Sequence, residues 1–213
     1  MDAQGQPVPG DVFEQAQRAL AEGAIVAVKG IGGIHLARDA HNPKAVARLR
    51  HRKHREEKPL ALMCRDLEHV RDFCLVSEAE QTVLENVRRP IVLLAKKDPN
   101  AFSLLSSNTR LGIMLPYTPL HVLLLDGTFG GPGALVMTSA NLSDQPVLIH
   151  GHEALKGLCG IADFFLLHNH PIQNRCDDSL VSVWQGREYF FRRSRGYAPQ
   201  PIRTLMDVTG VVA

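Results

Sequence analysis

Residues 24–63 read AIVAVKGIGGIHLARDAHNPKAVARLRHRKHREEKPLALM. Ala24 to Val28 is an apolar run of strand length, and it leads into the glycine-rich segment Lys29-Gly30-Ile31-Gly32-Gly33-Ile34-His35. Asn42 before Pro43 predicts a helix start, with an amide cap and a proline at the first helical position. Val46 and Leu49 fall on one face of that helix. Lys58-Pro59 marks its end, because proline biases the residue before it toward extended backbone. Leu60 to Met63 then reads as a second buried strand. Strand, helix and strand in this order point to an α/β fold.

The same alternation continues on both sides. Upstream, Asp11 caps a helix with Val12, Ala16, Ala19 and Leu20 at helical spacing, and Gly23 stops it. Downstream, Ser77 to Glu80 forms a capping box ahead of Val83, Leu84 and Val87. Ile91 to Ala95 is a strand, and Pro119 starts a Leu- and Val-rich helix. Ala134 to Met137 is a strand ending in a polar turn, Thr138 to Ser143. Phe164 to Leu167 is another strand. Leu180 to Trp184 and Tyr189 to Arg192 flank Gln185-Gly186-Arg187-Glu188 as a hairpin, so part of the sheet is antiparallel. No internal repeat or low-complexity linker interrupts the chain. We expect an N-terminal tail over 1–10, one domain over 11–203, and the start of a linker or truncated next domain over 204–213.

Composition narrows the function classes. The chain has 213 residues, 45% of them hydrophobic and 22% charged, as in ordinary soluble domains. Its net charge of +2 gives no global argument for nucleic acid, so any electrostatic recognition is local. No apolar run reaches the roughly 18 residues of a membrane span, and the polar N-terminus carries no signal-peptide pattern; the expected location is cytoplasmic. Cys64, Cys74, Cys159 and Cys176 lack C-x-x-C spacing, which argues against structural zinc. We expect them to be free, buried thiols, with Cys176 the one candidate for a catalytic role.

Five segments carry chemistry. Lys29 to His35 follows a strand and lets backbone approach a ligand, although it lacks the P-loop ending; Lys29, Gly32, Gly33 and His35 are candidate pocket residues. Arg48 to Lys58 holds six Lys or Arg and two His in eleven positions. Such a run fits a solvated helix face or a polyphosphate site, where arginine makes bidentate contacts and lysine supplies a mobile charge. Thr138-Ser139-Ala140-Asn141 follows a strand, a frequent ligand position in α/β sheets. Arg175 to Ser179 places Asp177 and Asp178 together, for a metal or a turn. Arg192 to Tyr197 (RRSRGY) offers guanidinium groups, Arg195 among them, for an anion or the surface.

In this order the segments resemble the YrdC-like adenylate-forming domain, in the version found in the HypF hydrogenase-maturation carbamoyltransferases. The carrying stretches are residues 29–63, GIMLPYTPLHVLLL, VMTSANLSDQPV, IADFFLLHNHPIQNRCDDSLV and RRSRGYAPQPI. They span roughly Val12 to Ile202. The family's K-x-R motif falls on Lys53 and Arg55, followed by Lys58, and its S-x-N motif on Ser139 and Asn141. The resemblance implies a twisted mixed α/β sheet flanked by helices, with a concave basic pocket. It implies ATP and Mg2+, and attack of a carbamate-type carboxylate on the α-phosphate to give an acyl-adenylate and pyrophosphate. Lys53 and Arg55 are then the catalytic candidates; Lys58, Ser139, Asn141 and Arg195 join them in binding phosphate. Asp177 or Asp178 would assist the metal.

The implied partners are a carbamate or carbamoyl donor, the other domains of a full-length protein, and a hydrogenase-maturation acceptor protein. HypF chains also carry acylphosphatase-like, zinc-finger and transferase domains that these residues lack, so this chain alone is not expected to complete the transfer. One departure is Asp144, where relatives often have glycine. Two competing functions are threonylcarbamoyl-adenylate synthesis for tRNA modification and double-stranded RNA binding. The tRNA branch carries P-T-x-T-x-Y-G where this chain has Lys29 to His35, without Thr or Tyr. RNA recognition by shape needs phosphate contacts spread over a wide face, for which one basic run is weak support.

Overall fold

The computed structural model describes residues 1–53, 58–141 and 145–202. Helix α1 (Val12–Ala21) starts where Asp11 Oδ1 accepts the amides of Phe13 and Glu14 at 2.9 and 3.0 Å. It stops at Gly23, whose φ of +87° suits glycine. Strand β1 (Val26–Lys29) follows, and then β2 (Ile34–Asp39). The two pair antiparallel. The glycine-rich segment is therefore a hairpin loop, and β2 is a strand that sequence reading passed over. Its alternation is masked because polar His35 and Arg38 are as buried as their apolar neighbours.

Helix α2 (Pro43–Lys53) begins where Asn42 Oδ1 caps the Ala45 amide at 3.0 Å. Strand β3 (Ala61–Cys64), helix α3 (Leu67–Phe73), the short β4 (Cys74–Leu75) and helix α4 (Glu78–Glu85) come next. Ser77 and Glu80 complete the reciprocal capping box of α4. The chain continues as β5 (Ile91–Lys96), β6 (Arg110–Met114), α5 (Pro119–Leu125) and β7 (Ala134–Ser139). It closes with α6 (Gly151–Leu158), β8 (Phe164–Leu166), β9 (Leu180–Trp184) and β10 (Arg187–Arg192). The β9–β10 turn is two residues, not four: Gln185 and Gly186 both have positive φ, +48° and +73°, the pairing that matches hairpin twist. Thr138 and Ser139 belong to β7 rather than to the turn beyond it.

All strands join one mixed sheet in the order β10-β9-β5-β6-β3-β7-β2-β1-β8, with β4 on β5. Strand alternation splits its apolar residues between two cores. Leu36, Leu62, Val92, Ile113 and Val136 face α2, α3, α4 and α6. Val28, Ala37, Met63 and Leu135 face α1 and α5. The second pair of helices covers only the β8-β1-β2-β7 side. Over β5, β6, β3 and the end of β7, the second face lies open and concave.

The cysteines divide. Cys64 and Cys74 are buried, Cys159 is exposed and Cys176 is half-buried, so the expectation of four buried thiols fails for the last two. Burial pushes the Cys64 thiol well above its usual range and Cys74 up to about 12. At the N-terminus the Met1 amine donates to the Phe165 carbonyl at 2.9 Å. No helix among the described residues is long and apolar enough to cross a membrane.

Candidate functional site

The open face holds a cavity of about 840 Å3. One wall is built by β2 and β7. His35 is the register partner of Ser139, so both side chains point to the cavity side, and both line it. Lys53, the last residue of α2, approaches the same place from the other side of the sheet. Its buried ammonium donates to the Ser139 carbonyl, and lies 3.3 Å from Asn141 Oδ1 and 3.4 Å from Thr138 Oγ1. Ser139 Oγ donates to Asn141 Oδ1 at 2.9 Å, and Asn141 Nδ2 donates to the Gln145 carbonyl at 2.8 Å. Lys53, Ser139 and Asn141 thus form one connected unit at the end of β7. It combines an ammonium, a hydroxyl and an amide, donors suited to an anion.

The facing wall comes from Cys176, Asp177 and Asp178. Asp178 is buried, with Oδ1 2.7 Å from Arg195 Nε and Oδ2 3.3 Å from His35 Nε2. Burial works to raise its carboxyl. The hydrogen bond and charge from His35, and then the Arg195 guanidinium, outweigh that and hold it well below the usual carboxylate range. Arg195 also donates to the carbonyls of Arg88 (3.1 Å) and Arg89 (2.7 Å) and lies 3.6 Å over the Tyr117 ring. Arg195 therefore holds the wall together rather than lining the cavity. The arginine of the RRSRG segment that does line it is Arg192, whose Nε donates to the Asp178 carbonyl at 2.8 Å.

Other candidate residues take varied places. Lys29 is buried, and its ammonium donates to the carbonyls of His168 (3.0 Å) and His170 (2.6 Å) beyond β8. Gly33 lines the cavity. A Cβ there would sit 2.6 Å from Val147 Cγ2, and one on Gly32 would sit 2.5 Å from the Cys176 carbonyl. Both glycines are thus required by close packing of the hairpin loop. Lys58 is exposed, and its carbonyl accepts from Arg50 at 3.1 Å. Arg55 and Asp144 lie outside the described residues. No group of three metal-ligating side chains occurs among the described residues. Asp178 has both oxygens engaged, which leaves exposed Asp177 as the cavity carboxylate without a side-chain partner among the described residues.

Sequence reading missed the third wall, the loop Ser106 to Arg110 before β6. Lys96 anchors it through the Ser106 carbonyl at 2.8 Å, and Arg50 through those of Leu104 and Leu105 at 2.7 and 3.1 Å. Its sequence, Ser-Ser-Asn-Thr-Arg, looks like ordinary loop composition, so only the sheet order reveals its position.

Residues 18–194 match the Sua5/YciO/YrdC family model, described as telomere recombination. The chain belongs to the Sua5/YciO/YrdC family. Within that family it is 42% identical to carbamoyltransferase HypF2 of Cupriavidus necator, over 100% of this chain and 29% of that protein. A crystal structure of full-length HypF in a phosphate- and nucleotide-bound form superposes with a TM-score of 0.87 at 48% identity, covering 93% of this chain and 26% of that one. Sua5 of P. abyssi, crystallised with L-threonine, gives a TM-score of 0.74 at 16% identity over 85% of this chain and 54% of that one; that likeness speaks to the fold alone. This chain therefore resembles a HypF carbamoyltransferase across its length while spanning less than a third of such a protein.

Proposed function

We propose that this chain binds ATP in the cavity and joins a carbamate-type carboxylate to its α-phosphate, forming carbamoyl-adenylate. The observation that carries the reading is the connected unit of Lys53, Ser139 and Asn141, of which Ser139 lines a cavity large enough for a nucleotide and Lys53 backs it from the buried side. In the reaction a carboxylate oxygen bonds to the α-phosphorus and the bond to the bridging oxygen breaks. The electron pair leaves with pyrophosphate. Negative charge grows on the phosphate oxygens, and fixed donors aimed at it lower the barrier. Lys53 supplies the cation, Ser139 and Asn141 the neutral donors, and Arg55 belongs to the same motif. Magnesium would arrive on the nucleotide phosphates and offset their charge, and Asp177 is the exposed carboxylate that the cavity offers it.

Carbamoyl is favoured over threonylcarbamoyl by the Gly32 and Gly33 contacts. The tRNA-modifying branch places hydroxyl side chains in this loop, and here the packing leaves no room for them. The acceptor thiol, the hydrogenase-maturation partner and the supply of carbamate belong to the larger relatives' other parts. The test is pyrophosphate release by the purified chain from ATP with carbamate or with threonine plus bicarbonate. Release should require carbamate. Lys53→Ala should weaken ATP binding by about 1.5–3 kcal/mol, the scale of a hydrogen bond to a charged group. Threonine-dependent release at a comparable rate, or Lys53→Ala binding ATP as tightly as the natural chain, would overturn the assignment.

A further inference from the structure

One side chain, Val147, fills the corner where β2 begins and β7 ends. The short segment that carries it is pinned at three carbonyls. That of Gln145 accepts from Asn141 Nδ2 at 2.8 Å, that of Val147 from Arg175 Nε at 2.7 Å, and that of Leu148 from the Ile34 amide at 2.8 Å. The Leu148 amide in turn donates to the Ala140 carbonyl at 3.1 Å. Val147 is buried and lines the cavity together with Gly33, His35 and Ser139. It is β-branched, so on this fixed backbone its two methyls have little freedom to swing away.

Those methyls press on the hairpin loop between β1 and β2. A Cβ built on Gly33 would lie 2.6 Å from Cγ2 and 2.9 Å from Cγ1 of Val147. Val147 therefore occupies the space that a side chain at position 33 would need. The loop is also held by Cys176, whose amide donates to the Gly32 carbonyl at 2.9 Å and whose own carbonyl would stand 2.5 Å from a Cβ on Gly32. The corner is thus closed by two anchored segments packed against bare backbone.

Size gives this corner its meaning. A cavity of about 840 Å3 is far larger than a carbamate, which has no atom beyond its carboxylate and its nitrogen. So small a substrate is oriented only by walls close to its reaction partner. With the α-phosphate held at the end of β7, the attacking carboxylate oxygen stands about 3–3.5 Å from the phosphorus, and the carbamate nitrogen lies just behind it. Besides Ser139, the cavity walls at that end are His35, the Gly33 backbone and the Val147 methyls.

We propose that Val147 sets the acyl specificity of this site: its methyls take the space that a substituent on the carbamate nitrogen would need, so the unsubstituted carbamate is the form adenylated. This rests on the proposed adenylation of carbamate at the end of β7. The bonds made and broken are the same for a substituted carbamate. A carboxylate oxygen bonds to the α-phosphorus and pyrophosphate leaves, so only the fit at nitrogen differs.

The test compares carbamate with N-methylcarbamate, formed in solution from bicarbonate with ammonia or with methylamine, as substrates of the full chain with ATP. The readout is the ratio of the two kcat/KM values for pyrophosphate release, with the acyl-adenylate identified by mass spectrometry. A general loss of activity cancels in a ratio taken within one protein. The natural chain should prefer carbamate by about 10–200-fold, the scale of one methyl group that a pocket refuses. Val147→Ala should lower that preference by about tenfold or bring it to parity, and Val147→Thr, which keeps the shape, should retain it. Arg175→Ala, which frees the Val147 carbonyl from an exposed side chain, should lower the preference in the same direction, and it carries the test if Val147→Ala does not fold. A natural chain that uses N-methylcarbamate as well as carbamate overturns the proposal while the adenylation reading stands. An unchanged ratio in both Val147→Ala and Arg175→Ala does the same, as does a Val147→Thr that loses the preference as fully as Val147→Ala. A natural chain that releases pyrophosphate with neither substrate removes both.

Discussion

Arg38 projects from β2 into the helix-covered face, with no exposed surface and no hydrogen-bond partner for its three guanidinium nitrogens among the described residues. Burial, and next the charge of Arg48, bring it down to about 10. Asp39 and Asp163 offset this only in part. An unpaired buried charge costs stability, so Arg38→Met should stabilise the chain by about 2 kcal/mol, raising Tm by roughly 4–8 °C at this size. A fall in Tm would show that Arg38 has a partner in solution. His121 is the second such residue: fully buried, both ring nitrogens without hydrogen-bond partners among the described residues, edge-on to Tyr117 at 4.5 Å. Burial, with His35 next, brings it down to about 3. The unfolded chain therefore binds the extra proton first, and stability falls as pH drops below about 6.5, by about 2 kcal/mol at pH 5. Urea titrations at pH 7 and 5 should show this loss shrinking in His121→Leu. An equal loss in both proteins contradicts the assignment. Neither residue was legible as buried, since an Arg and a His in a sequence carry no mark of the side of the sheet they will face.

The elements that sequence reading recovered are those with local signals. Asp11, Asn42, Ser77 with Glu80, and Thr118 before Pro119 each cap the helix they precede, because a cap is a contact within three residues of chain. Helices α3 and α6, and strands β2, β4 and β6, went unseen for want of such marks. His150 makes no side-chain cap for α6, and the pattern of β6 is broken by Gly112, over which Ile91 packs. Arg195 acts at the scale between elements. It joins the Asp178 segment to the carbonyls of Arg88 and Arg89 after α4. Arg195→Leu should cost about 3–5 kcal/mol, because it leaves a buried carboxylate without its cation. Asp178 is held below its unfolded value, so the stability it contributes is full above about pH 4 and is lost as pH falls further. The gap in stability between the natural chain and Arg195→Leu should therefore narrow as pH falls below about 4. A variant as stable as the natural chain would mean that His35 alone secures Asp178.

At the scale of the whole molecule, α/β alternation announced the fold class, and the ordered motifs announced the family. The sheet order did not follow from either. β5 pairs in parallel with β9, and β1 with β8; these contacts join distant parts of the chain through no local pattern. They create the open face and bring Asp178, Ser139 and the 106–110 loop around one cavity. Most of the candidate cations were legible as a basic run, yet their division of labour was not. Arg50 secures a loop and Arg52 pairs with Asp163 at 2.8 Å, while Lys53 reaches Ser139 at the end of β7. The central claim is that this strand end receives the phosphates of ATP. A crystal structure of the chain soaked with a non-hydrolysable ATP analogue tests it most directly. The account predicts a phosphate within hydrogen-bond reach of Ser139 Oγ and Asn141; a nucleotide bound elsewhere on the chain, with no phosphate at the end of β7, would contradict it.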